Sequence, residues 1–285
     1  MRFTLIDARE ADLSVERACQ LCEVSPSGYY AWQGRPASKH QRDDMICLAH
    51  IRSAFRESNG TYGSPRMTVE LQEQGLDIGR RRVARLMKDN GLQARKKHHF
   101  KCTTDSQHNY PVYPNLLQQD FTASRPNEKW GVDISYIWTR EGWLYLAVVI
   151  DLYARRVVGH ACSDRLKKGL ALEALDRAVV LRQPPPGLIH HSDRGSQYCS
   201  YEYRARLEKY SMKGSMSAKG NCYDNAVVET FFKTIKSELI WRTSFTTRKK
   251  AENMIGQYID GFYNPKRRHS TLNYVSPMQF ENQTA

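Results

Sequence analysis

From Trp130 to Trp138 the chain alternates, with Trp130, Val132, Ile134 and Tyr136 on one side and Asp133 and Ser135 on the other. This is the period-two pattern of a half-buried strand, and it carries a carboxylate inside it. The turn TREG, the largely apolar GWLYLAVVI and, after DLYA, the stretch RRVVGHA predict two further strands. Three strands joined this tightly form an antiparallel meander. A helix is expected over about 167–181, with Leu170, Leu172, Leu175, Ala178 and Val179 toward a buried side. A short apolar strand follows the proline block PPPG and ends in Asp193. Because a helical crossover leads into it, this strand lies parallel to its neighbour. The helix SYEYRARLEKY, a short strand KGSMS and a helix opening near Asp224 complete a mixed α/β layer.

The residues ahead of this layer are helical in pattern. SVERACQLC starts at Ser14 as N-cap and is followed by a turn at SPSG. Three further helices are expected between Met45 and Lys101. The first holds Ile46, Leu48, Ile51 and Phe55; the second opens with Ser64 and Pro65 as N-cap and N1 and closes at Gly75. The third, IGRRRVARLMKDNG, sets Ile78, Val83, Leu86 and Met87 on one side. Helix, short turn, basic helix is the layout of a helix-turn-helix. Residues 39–101 hold 14 Lys and Arg against 7 Asp and Glu. Counterion release rewards such clustering, so Arg80, Arg81, Arg85 and Lys88, with Arg95, Lys96 and Lys97 just beyond, are candidate DNA contacts rather than a merely solvated face.

The whole chain of 285 residues carries a formal charge of +13, which favours a polyanionic partner. No apolar run reaches the roughly 18 residues of a membrane span, and MRFTLIDARE lacks the regions of a signal peptide, so a soluble, cytoplasmic protein is expected. An odd number of cysteines, 7, argues for a reducing compartment, and the lone CxxC of Cys19 and Cys22 reads as packing rather than metal binding. The organisation expected is an N-terminal helical segment (1–38), a helix-turn-helix-like region (39–104), a proline-rich linker (105–127), a catalytic core (128–240) and a C-terminal helix with a basic tail (241–285).

Asp133, Asp193 and Glu229 stand out by placement. A carboxylate inside a strand or on the inward face of a helix is costly unless something positive pairs with it. The element order resembles the ribonuclease-H-like fold, a mixed sheet flanked by helices, here preceded by an all-helical region. In that topology the first and fourth strands adjoin, so Asp133 and Asp193 face one another and the Glu229 helix packs across them. Three carboxylates this close repel, and oxygen-only ligands suit Mg²⁺ or Mn²⁺. There are 35 residues between Asp193 and Glu229, and Lys236 lies 7 beyond the glutamate. The contexts WGVDISYI, HSDRGSQY and DNAVVETFFKTIKSE resemble the DDE transposases and retroviral integrases. More narrowly, with RMTVELQEQG, WLYLAVVIDLYARRVVG and YNPKRRHSTLNYVSPMQFE, they resemble the second-frame transposase product of bacterial insertion sequences whose enzyme is made from two overlapping reading frames.

That resemblance implies that Asp133, Asp193 and Glu229 are the catalytic residues and ligate two Mg²⁺ or Mn²⁺ ions. It implies cleavage at the 3′ ends of a mobile element and attack by the freed 3′-hydroxyl on another phosphodiester, without a covalent protein intermediate. It also implies double-stranded DNA as partner, at least a dimer on paired ends, and an upstream-frame product that acts with this chain or is fused to it. Two other readings stay open: a same-fold nuclease that cuts without joining, and a DNA-binding repressor.

Around the triad, Lys236 returns to the face of Glu229 after two helical turns and is expected on DNA phosphate. Lys233, at i+4, is balanced between an ion pair with Glu229 and DNA. Arg194 and Tyr198 follow Asp193 in a loop placed for DNA, and His191 shares a side with Asp193 while His190 packs. Asn225 is read either as a helix cap or as a ligand to a carboxylate or DNA. In the tail, Lys266, Arg267 and Arg268 interleave with tyrosines, an arrangement equally suited to holding phosphates and to anchoring the segment.

Overall fold

The computed structural model of the chain describes residues 2–8, 13–94, 111–218 and 222–284. Helices α1 (Arg2–Asp7), α2 (Val15–Leu21) and α3 (Pro26–Gln33) surround a small core in which Phe3 stacks on Trp32 at 5.7 Å and Cys19 is fully buried. Ser14 caps α2 as expected, accepting from the Arg17 N–H. The SPSG stretch is not a turn but the start of α3: the Ser25 hydroxyl oxygen accepts from the Gly28 N–H at 3.1 Å, and Pro26 takes a first-turn position where its missing N–H costs nothing.

Helices α4 (Lys39–Glu57), α5 (Ser64–Glu73) and α6 (Arg80–Asp89) pack around Ile51, Met67, Leu71 and Val83, all fully buried. A capping box of Ser38 and Gln41 begins α4. The N-cap of α5 is Gly63 rather than Ser64, with Pro65 in the first turn.

The core is one sheet of strands β1 (Lys129–Thr139), β2 (Gly142–Asp151), β3 (Arg156–Ser163), β4 (Ile189–Ser192) and β5 (Lys213–Met216), in the order β3-β2-β1-β4-β5. The meander β1-β2-β3 is antiparallel, and β4 and β5 are parallel to β1. Helix α7 (Lys168–Arg182) makes the crossover, and α8 (Ser196–Cys199) and α9 (Tyr201–Lys209) link β4 to β5. Trp130 and Val132 face α7; it approaches β3 so closely that a Cβ at Gly159 would lie 2.3 Å from the Ala174 carbonyl. On the other face, α10 (Ala226–Glu238) and α11 (Arg248–Tyr258) bury Val228, Phe231, Phe232 and Ile235 against Ile137, Leu146 and Val148. The stripe that predicts α10 as an anchored amphipathic helix is therefore its contact with the sheet.

The described part of the proline-rich stretch, from 111 on, lies along β5. The Leu116 N–H donates to the Ser215 hydroxyl at 2.9 Å, the Asn115 side-chain amide donates to Asp224 at 3.0 Å, and Leu117 is buried. At the far end, α12 (Pro277–Thr284) returns to the core, where Glu281 pairs with Arg156 and Arg182.

Candidate active site

β4 pairs with β1 only at 129–131, after which β1 runs on alone on that side. The cleft opens at this divergence. Asp133 is half-buried on the face of β1 turned toward α10, and its Oδ1 accepts the Ile134 N–H at 2.7 Å. Asp193 directly follows β4, and its Oδ1 accepts the Gly195 N–H at 2.9 Å, which bends the chain into α8. Glu229 projects from the first turn of α10.

The charges of the other two acids reach Asp133. Burial, then the charge of Asp193 and more weakly that of Glu229, push the Asp133 carboxyl well above the usual carboxylate range; the Ile134 N–H and Lys236 oppose this. The three acids do not converge on a chelating arrangement: among the described residues no three His, Cys, Asp or Glu side chains are placed to hold a metal ion. Glu229 instead pairs with Lys233 at 3.2 Å, the ordinary i,i+4 contact. The donor chemistry fits a hard divalent cation all the same. The set is carboxylate oxygen only, and a cation such as Mg²⁺ or Mn²⁺ would offset both the burial and the repulsion that raise Asp133.

Two contacts hold α10 over β1. The Asn225 side-chain amide donates to the Val132 carbonyl at 3.2 Å, next to Asp133 in the chain, and it makes no cap bond to the helix. Neither role expected for Asn225 is the one seen. A Cβ at Gly131 would stand 2.8 Å from Cγ2 of Val228, so the helix sits where only glycine leaves room for it. Nothing in the local pattern of WGVD singles out Gly131; its neighbour across space does.

Lys236 is half-buried, with its Nζ 5.1 Å from the Tyr136 ring centroid. Burial lowers its pKa and the charge of Asp133 raises it, which places its ammonium within the field of the site. Arg194 donates from Nε to the Ser217 carbonyl at 2.8 Å. Tyr198 does not face outward as expected. It is 3% exposed, its hydroxyl has no hydrogen-bond partner, and burial first, with Tyr203 and the two aspartates, pushes its pKa far up. His191 is also away from the cleft, hydrogen-bonded to Ser215 at 2.9 Å, and His190 shares a 2.9 Å hydrogen bond with the Tyr203 hydroxyl.

On α6, Arg80, Arg81 and Lys88 are exposed, whereas Arg85 is held by Asp44 at 2.7 Å. Arg95, Lys96 and Lys97 lie outside the described residues. In the tail Lys266 is exposed, but Arg267 and Arg268 are 2% and 5% exposed and cannot reach a DNA surface. Arg267 is spent on Glu238 at 2.6 Å, and Arg268 on Glu70 at 2.8 Å and Glu73 at 2.6 Å. Of the two readings of the tail, anchoring is the one these arginines serve. Arg268 and the Tyr62 hydroxyl, which donates to the Lys266 carbonyl at 3.2 Å, clamp the tail onto α5.

Three family models match parts of the chain. An HTH-like domain matches residues 41–100, and Integrase core domain models match residues 123–222 and 229–285. The insertion element IS600 uncharacterized 31 kDa protein of Shigella sonnei is 47% identical over 263 residues, covering 92% of this chain and 96% of that protein. The transposase InsF for insertion sequence IS3A of Escherichia coli (strain K12) is 43% identical over 284 residues, covering 99% of both. Among solved structures, the HTLV-2 integrase catalytic core domain in complex with magnesium (trimeric form) is 17% identical, with a TM-score of 0.44, over 56% of this chain and 99% of that one. Identity of this extent, together with a ribonuclease-H-like sheet behind a helical HTH-like region, establishes that the chain belongs to the IS3 family of insertion-sequence transposases.

Proposed function

We propose that the protein cleaves DNA at the ends of its mobile element and joins the freed 3′-hydroxyl to a second phosphodiester, with Asp133, Asp193 and Glu229 as the catalytic carboxylates. The observation that carries this reading is electrostatic: Asp133 on β1 is held well above the usual carboxylate range by its burial first, then by the charge of Asp193 and, more weakly, by that of Glu229. The carboxylates are the groups that would hold one or two Mg²⁺ or Mn²⁺ ions. When bound, such ions activate the attacking oxygen and stabilise the leaving one. The protein's own part is to position. Asn225 and Gly131 fix Glu229 against β1, and Lys236, oriented by Tyr136, meets a phosphate of the strand entering the cleft. Lys233, now on Glu229, is released to DNA when the glutamate turns to the cation.

The exposed cations of α6 supply phosphate contacts away from the cleft. Two or more copies act on paired ends, in concert with an upstream-frame product or fused to it. The test uses that protein, Mg²⁺ and a labelled duplex with the cognate end. Wild type yields cleaved and joined strands, while Asp133→Asn, Asp193→Asn and Glu229→Gln each lose both products by orders of magnitude without losing DNA binding. Products that persist in any of the three remove that residue from the assignment. Cleavage without joining leaves a nuclease, and binding without metal-dependent cleavage leaves a repressor.

A further inference from the structure

Away from the triad, a cavity of about 310 Å³ opens where the HTH-like region, the sheet, α10 and the tail meet. Its lining includes Arg66 from α5, Arg155 from the β2–β3 turn and Arg267 from the tail, with the hydroxyl residues Thr230, Ser270 and Thr271, and it contains no carboxylate. Arg267 already has its partner in Glu238. Arg66 and Arg155 have none: among the described residues neither forms an ion pair. Both are half-buried, and burial lowers the pKa of each guanidinium; on Arg66 the charge of Arg267 adds to this effect and that of Glu238 opposes it. Desolvated cations outside any ion pair are unfavourable unless an anion joins them, and the one carboxylate that acts on Arg66, Glu238, is already paired with Arg267.

The site is built rather than incidental. Arg155 has φ +57, a left-handed backbone that residues other than glycine rarely adopt, and its carbonyl accepts from the Tyr263 hydroxyl at 3.2 Å. The Arg66 guanidinium lies over the Tyr62 ring, 5.8 Å from its centroid. The Thr230 hydroxyl donates to the Ala226 carbonyl, but two guanidinium forks and the hydroxyls of Ser270 and Thr271 on one lining match the tetrahedral oxygens of a phosphate.

We propose that this cavity is a phosphate-binding site that takes a phosphodiester of the bound DNA. Its chemistry stands on the cavity alone; the choice of DNA as source rests on the transposase reading above. Thr230 is the residue next to Glu229 on α10, and Arg66 belongs to the HTH-like region, so a phosphate held here lies at the junction of the DNA-binding and catalytic parts. One such contact would report to the cleft that DNA is seated on both.

The test compares wild type with the Arg66→Gln/Arg155→Gln double variant, both in the Asp133→Asn background, so that chemistry plays no part in the readout. With a labelled element-end duplex, affinity is expected to fall about tenfold at moderate salt and the slope of log affinity against log salt to fall by about one. Inorganic phosphate, against chloride at equal ionic strength, is expected to raise the melting temperature of wild type and not of the variant. Because neither arginine forms an ion pair among the described residues, the variant is expected to melt no lower than wild type in chloride. Unchanged DNA affinity and salt slope overturn the DNA assignment; if phosphate still separates the two proteins, the site serves a free phosphate compound. If phosphate does not separate them either, or if the variant melts lower in chloride, the arginines are structural and the proposal fails. None of these outcomes depends on whether the triad cuts DNA.

Discussion

The side-chain amide of Asn225 donates to the carbonyl of Val132 at 3.2 Å, so the residue ahead of α10 is tied to the residue ahead of Asp133. This bond fixes the distance between two of the three acids without touching either. Asn225→Ala leaves a buried carbonyl unpaired, at a cost of about 1–3 kcal/mol. Strand cleavage is expected to fall with DNA affinity unchanged, as turnover and binding assays on the same duplex would show.

Gly131 sets the same geometry from the strand. In Gly131→Ala the new methyl meets Val228 Cγ2 at 2.8 Å and Leu152 Cδ2 at 3.3 Å, so α10 must shift. Overpacking of this kind costs about 1–3 kcal/mol, readable in urea unfolding, and cleavage is expected to fall further than stability alone explains. Val228→Ala in the same chain removes the clash, and recovery of cleavage in the double variant checks the cause.

The exposed cations of α6 are not equivalent. Arg80→Ala, Arg81→Ala and Lys88→Ala combined are expected to lower the salt slope of DNA binding by about two to three. Arg85→Ala is expected to change it little, because that guanidinium is committed to Asp44. A titration of affinity against salt for the two proteins separates these outcomes.

The tail is held by a buried ion pair. Burial pushes the Glu238 carboxyl up, but the hydrogen bonds and charge of Arg267, with the Tyr258 hydroxyl, outweigh it and hold Glu238 below its ordinary value. Arg267→Met strands that carboxylate and is expected to cost about 3–5 kcal/mol in chemical denaturation. The double variant with Glu238→Gln recovers most of the loss.

His190 gives the fold an acid limit. Burial, with the neighbouring His191, lowers its pKa from 6.5 to about 3. Below pH 6.5 the unfolded chain takes up a proton that the folded chain refuses until about pH 3, so stability is full above 6.5 and declines as pH falls across that window. The loss between pH 7 and pH 4 is on the order of a few kcal/mol. His190→Gln, compared with wild type by urea unfolding at both values, is expected to flatten this dependence.

The meander, the parallel fourth strand and the buried stripe of α10 were legible because strand and helix periodicity are local: alternation around Asp133 and the apolar stripe of α10 assign faces without knowing what they meet. SPSG misled because a serine, proline and glycine serve a turn and a helix start equally well until the Gly28 N–H is seen on Ser25.

Charge was the least legible property. PKRRH reads as a basic surface, yet Arg268 meets Glu73, 195 residues away in the chain, and Arg267 is closed over by Glu238. Arg66 and Arg155 attract no notice in one dimension, and stand out only because folding brings them to one cavity without an acid. Periodicity decides which way a side chain points, and that much is written in the order of residues. Whether a charge is paired, stranded or left to water depends on which distant segment arrives beside it, and only the packed chain decides that.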